Sequence, residues 1–136
     1  MKMNEKIPRD GATLDEVAAV LKALGEPNRL RILDELMKGD TCNAELNEAL
    51  GLSPNLLSHH LRVLSDVGLI TSRRDRIDGR WIYYTVDPDA VARWQHWFSA
   101  FLDPDRIQVR EVCGPERELA ASDRITLSEP LTENSD

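Results

Sequence analysis

The stretch SPNLLSHHLRVLSDVGLI, residues 53–70, reads as a helix closed at both ends. Ser53 can cap the free N–H groups of a first turn, and Pro54 fits where no N–H is needed. Gly68 stands where a left-handed residue ends a helix, so the spacing predicts a helix from Pro54 to Val67. At 100° per residue Leu57, Leu61 and Leu64 share one side, and Asn55, Ser58, His59, Arg62 and Asp66 gather opposite. The adjacent histidines then part company: His60 borders the apolar stripe and packs, whereas His59 points outward. A polar outer face of that composition suits a helix that reads base edges in a major groove.

Working upstream, DTCNAELNEALGL (40–52) supplies a short helix with Asp40 or Thr41 as its cap and Gly51 as its stop. Only Leu52 separates that glycine from Ser53. Two short helices joined by a tight Gly-containing turn make a helix-turn-helix. Further upstream, PNRLRILDELMKG (27–39) is expected to turn Leu30, Leu33, Leu36 and Met37 inward. Before it, Thr13 and Glu16 have capping-box spacing, and Leu14, Val17, Ala18, Leu21 and Leu24 form a stripe that Gly25 ends.

Downstream the period changes. LITSRRDRIDGRWIYYTV (69–86) is rich in strand formers, and Asp78-Gly79 predicts a two-residue hairpin turn. This wing puts Arg73, Arg74, Arg76 and Arg80 within reach of a phosphate backbone or minor groove. Asp87 and Pro88 then open a final helix whose Val91, Trp94, Trp97, Phe98, Phe101 and Leu102 recur at three- and four-residue steps. That stripe could be intramolecular core or a dimer seam. The seam is favoured, because three other helices already fill the core of so small a domain. With Leu14 and Val17 it gives the expected dimer interface.

The 136 residues and 41% apolar content suit one modest folded domain. The expected organisation is an N-terminal arm at 1–12, a winged helix-turn-helix DNA-binding and dimerisation domain at 13–102, and a polar C-terminal extension at 103–136, disordered from about residue 114. The fold class is mainly α with a small β-hairpin, in the order α-α-α-α-β-β-α. No apolar run has the length of a membrane span, and MKMNEKIPRDGATLDE lacks the core of a signal peptide, so a cytoplasmic protein with no membrane partner is expected. The net charge of −7 opposes nucleic acid only until it is divided: residues 53–86 carry 5 basic and 3 acidic groups, and the segments on either side are acidic. A local positive patch suffices for phosphate contacts, although a short basic stretch is equally often just solvated.

The strings LKALGEPNRLRILDEL, AELNEALGLSPNLLSHHLRVLSDVGLI and RIDGRWIYYTV, spanning residues 21–86 almost without interruption, resemble the ArsR/SmtB family of bacterial winged-helix repressors. The resemblance implies a homodimer built on the first and last helices, bound to an imperfect inverted repeat in a double-stranded DNA operator and released by an effector. It places Ser58 and His59 on the recognition helix. Ser53, Asn55 and Arg62 join them as candidate contacts, with Asn55 and Arg62 favoured as base readers because each can make paired hydrogen bonds. No cofactor is expected for DNA binding itself.

Many relatives sense metals. TCNAEL (41–46) matches the place where a Cys-Val-Cys string binds arsenite, cadmium or lead, but Cys42 keeps only the first thiol and Ala44 replaces the second. The family's zinc site on the last helix is judged absent, since His96 has no imidazole partner there. Cys42 and Cys113 remain as candidate thiolate ligands for a soft metal or metalloid inducer such as arsenite, cadmium or lead. Oxidation of the same two thiols would instead make a redox or sulfide sensor, and a third reading leaves both without an effector role. A permanent disulfide is not expected in a reducing compartment. An enzyme finds no support: Cys-x-x-Cys and a glycine-rich phosphate loop are both missing. A protein-binding winged helix is disfavoured by the polar recognition face.

Overall fold

The computed structural model describes residues 11–119. Five helices and a three-stranded antiparallel sheet make up residues 11–102, in the order α1 (Leu14–Leu24), α2 (Pro27–Met37), β1 (Thr41–Cys42), α3 (Asn43–Leu50), α4 (Pro54–Asp66), β2 (Ile70–Arg74), β3 (Ile82–Val86) and α5 (Pro88–Phe101). This is a winged helix-turn-helix, mainly helical, as the sequence predicts. A second unit begins at Asp103, and its described residues hold only two short 3-10 turns, Pro104–Arg106 and Pro115–Glu118. The expected arm lies outside the described residues up to residue 10, and the expected disordered tail lies outside them from residue 120.

Local chemistry starts the helices. Thr13 Oγ1 accepts from the Glu16 amide at 3.1 Å while the Thr13 amide donates to Glu16 Oε1 at 2.9 Å, a complete capping box. Ser53 Oγ accepts from the Leu56 amide, and Asp87 accepts from the amides of Asp89 and Ala90. Gly51, at φ 69°, makes the sharp left-handed exit from α3 that lets α4 begin three residues later at Pro54.

The cap expected at Asp40 or Thr41 is corrected. Thr41 and Cys42 are extended, paired with Tyr84 and Tyr83 of β3, and Cys42 occupies the N-cap of α3 without a side-chain hydrogen bond. The Thr41 hydroxyl bonds to the Glu45 carboxylate instead. The hairpin turn is also corrected. The last paired residues are Arg74 and Ile82, so the wing is a seven-residue loop, 75–81, and not a two-residue turn. Gly79 does not take the positive φ that such a turn requires.

The core joins Val17 and Val20 of α1, Ile32 and Leu36 of α2, Leu46 of α3, Leu57, Leu61 and Leu64 of α4, Leu69 and Ile70, and Trp94 and Trp97 of α5. The α2 stripe turns differently from expectation: Leu30 and Met37 are exposed, because Ile32 takes the inner position with Leu36. On α1, Val17, Val20 and Ala23 face the core, and Leu14, Ala18 and Leu21 are exposed. Val17, Trp94 and Trp97, expected at a dimer seam, are buried within the chain's own core and have almost no surface left for a partner. Leu14 remains exposed, and Val91, Phe98 and Phe101 are half-buried.

Candidate nucleic-acid interface

The recognition helix α4 is held from behind by burial. Leu57, Leu61 and Leu64 are at most 2% exposed, while Asn55, Ser58, His59 and Arg62 face solvent. The side chains of Asn55, Ser58 and Arg62 make no hydrogen bond or ion pair with the described residues, so their polar groups remain available. Ser53 spends its lone pair on the Leu56 amide at 3.2 Å but keeps its hydroxyl proton to donate.

His60 packs behind this helix, as its sequence position predicts. Arg29 Nη1 lies 3.0 Å from His60 Nδ1. A guanidinium can only donate, so Nδ1 accepts and the ring proton sits on Nε2. That nitrogen faces Glu26 Oε2 at 3.5 Å, long for a hydrogen bond, and it has no closer partner. Burial pushes the imidazole below its ordinary pKa, with Arg29 and His59 adding to the effect and Glu26 opposing it. The other ends of this triad reach different elements. Glu26 caps α2 through the Asn28 amide, and Arg29 Nε donates to Ala23 O at the end of α1 at 2.6 Å.

The wing is built around Asp75. Its Oδ1 accepts from the amides of Ile77 (2.8 Å) and Asp78 (3.0 Å), its Oδ2 accepts from the Tyr83 hydroxyl (2.6 Å), and its own amide donates to Trp81 O (2.8 Å). The Tyr83 hydroxyl and the two amides hold the Asp75 carboxyl down to about 2. The four wing arginines, grouped together by the sequence, have different work. Arg74 Nη1 donates to Gly79 O at 2.7 Å, and Arg80 pairs with the Asp78 carboxylate at 2.7 Å, so both brace the loop. Arg73 lies over the Tyr83 ring, 4.6 Å from its centroid. Arg76 has no partner among the described residues.

These two surfaces, a helix with an unspent polar face and a hairpin whose Arg73, Arg74, Arg76 and Arg80 outnumber its Asp75 and Asp78, have the form of the working parts of a DNA-binding winged helix. The bacterial regulatory protein family arsR matches residues 26–72, from the cap of α2 into β2. Over 86 residues the chain is 38% identical to the HTH-type transcriptional regulator NmtR of Mycobacterium tuberculosis, covering 63% of this chain and 69% of that protein. The chain belongs to the ArsR family. Other ArsR-family relatives include an arsenical resistance operon repressor of Staphylococcus xylosus, 42% identical over 60 residues (44% of this chain, 58% of that one). NolR from Sinorhizobium fredii superposes with a TM-score of 0.53 at 35% identity, over 63% of this chain and 83% of that one. As an ArsR-family protein it is a DNA-binding transcriptional regulator and not an enzyme.

The two thiols occupy different settings. Cys42 is buried, with Sγ 3.7 Å from Glu45 Oε1, and Cys113 is exposed on the second unit. The Thr41 hydroxyl and the Cys42 amide lower the Glu45 carboxyl. Among the described residues no three His, Cys, Asp or Glu side chains gather into a metal site. Cys42 and Glu45 bring one thiolate and one carboxylate together, so a metal held there would take its remaining donors from elsewhere. His96 is exposed on α5.

Sequence reasoning missed Asp75, Tyr83, Arg29 and Glu26. Asp75 carried a signal, since an aspartate at the start of a polar loop between two strand-like runs favours an Asx-turn. Glu26 did not, because glutamate is an uncommon cap and only its place before Pro27 hints at the role.

Proposed function

We propose that this ArsR-family regulator is a homodimeric repressor that sets α4 into successive major grooves of a promoter inverted repeat in the cytoplasm. The observation that carries this is the division of α4 into a buried leucine face and an outer face whose Asn55, Ser58 and Arg62 side chains are unspent. Asn55 and Arg62 read adenine and guanine edges, Ser58 and His59 add contacts beside them, and Ser53 donates to a phosphate. Arg73 and Arg76 supply the wing's charge, with Arg74 and Arg80 stiffening it. The partner copy covers the exposed face of α1 around Leu14 and Leu21 together with Val91, Phe98 and Phe101 of α5. Residues 13–102 form the DNA-binding and dimerisation domain, and 103–136 form its extension.

The effector is a soft metal or metalloid of the kind named for the arsenical resistance repressor, taken up by thiolate, with Cys42 and Cys113 as the candidate thiolates. Cys42 suits this role because it begins α3 and pairs in β1 with Tyr83, whose hydroxyl holds Asp75 of the wing. Disturbing Cys42 therefore reaches both DNA-facing parts.

Fluorescence anisotropy on the chain's own upstream DNA tests the reading. The reduced protein should bind with a steep salt dependence. Arsenite, cadmium or lead should weaken binding about 5- to 150-fold, the usual range of an allosteric coupling. Cys42→Ser and Cys113→Ser should each abolish that response. Release by a polysulfide donor alone would replace the metal by thiol oxidation, and tight binding indifferent to every agent would remove the cysteines from the mechanism.

A further inference from the structure

The wing carries one residue that phosphate binding does not explain. Ile77 is 96% exposed, more than any other large apolar side chain in residues 11–102. It does not sit on a loose loop. Its amide is bonded to Asp75, Asp75 is fastened to Tyr83 of β3, and the loop is closed by the bond from the Asp75 amide to Trp81 O. A β-branched side chain adds stiffness of its own, because its χ1 freedom is limited before any ligand arrives. Beside it stands Arg76, with no partner among the described residues, while Arg74 and Arg80 are turned to Gly79 O and Asp78.

We propose that Ile77 is a specificity residue, an apolar wedge that the wing inserts into the minor groove, with Arg76 beside it on the phosphates. The inference rests on the DNA-binding reading above and adds to it a second site of sequence discrimination. A minor groove about 6 Å wide admits a loop tip but not a helix. Its walls are sugar carbons, against which an isoleucine loses water usefully, and its negative potential is strongest where A·T tracts narrow it. On a G·C pair the guanine 2-amino group projects from the groove floor, where an aliphatic group offers it no acceptor. The wing therefore discriminates against that amino group by shape and desolvation, without a hydrogen bond of its own.

The test uses the full chain and the footprinted segment of its upstream DNA, with the base pairs beneath the wing made A·T, G·C or inosine·C. Inosine·C looks like G·C from the major groove and like A·T from the minor groove. The wild-type protein should bind the A·T and inosine·C duplexes alike and the G·C duplex about five- to tenfold more weakly, the low end of the range for one discriminated base pair. Ile77→Ala should erase that preference and keep the wild-type salt slope, whereas Arg76→Ala should keep the preference and lower the slope. If inosine·C behaves as G·C does, or if Ile77→Ala retains the preference, the wedge is overturned. Failure of the wild-type protein to bind any of the three duplexes would overturn the repressor reading itself, a different result from the loss of flank discrimination.

Discussion

The recognition helix and the wing face the same ligand but are held by opposite means. α4 is fixed by apolar burial through Leu57, Leu61 and Leu64, and its outer side chains take no part in keeping it there. The wing, with Ile77 in open solvent, is fixed by one carboxylate that collects two amides and a phenol. A surface stabilised from behind can change its outer residues freely. A surface stabilised by its own polar groups cannot, because some residues that look like ligand contacts are structural.

That contrast breaks most visibly at Leu61. Leu61→Ala removes a side chain from the shared core and should cost about 2–5 kcal/mol of stability, read as a lower urea midpoint together with loss of DNA binding. Asp75→Ala should act locally: the urea midpoint should barely move, while DNA affinity falls several-fold and exchange of the Ile77 and Asp78 amides with solvent speeds up. If the whole domain loses stability with Asp75, the wing is not a separate unit and the comparison fails. Acid sharpens the same point. The Asp75 carboxyl is depressed from 3.8 to about 2 by bonds made within the wing, so its hold on the loop is complete above pH 3.8 and is lost as the pH falls through 2. Trp81 fluorescence should follow that loss, and in Asp75→Ala the change should vanish. Smallest of all, Arg80→Ala should reduce the salt slope of DNA binding less than Arg76→Ala, for which the expected reduction is about one unit, because Arg80 is already paired with Asp78.

The same division explains what could be read in advance. Caps and periodicity are local, so Thr13 with Glu16, Ser53 with Pro54, and Asp87 with Pro88 stood in the sequence as they stand in the fold. β1 did not, since Thr41 and Cys42 are extended only because Tyr84 and Tyr83, some forty residues later, lie alongside them. Periodicity also shows that α1 and α2 are apolar on one side without showing which part of that side meets the chain's own core. Leu30 and Met37, expected inward, lie outward. In the wing, the Asp78-Gly79 signal was outweighed by Asp75, whose bonds set a longer loop. The outer face of α4 was legible because it owes nothing to its neighbours, and the separate roles of Arg74, Arg76 and Arg80 were not, because they depend on where a loop carbonyl and a carboxylate happen to point.

Arg29 spans elements that the chain reaches at different times. Its guanidinium donates to Ala23 O and Lys22 O at the end of α1 and meets the imidazole of His60 beneath α4. One side chain thus works as a tie between the end of α1 and the buried side of α4, two helices that the chain makes some thirty residues apart. The seating of the DNA-reading helix therefore depends on a residue that lies on neither of them.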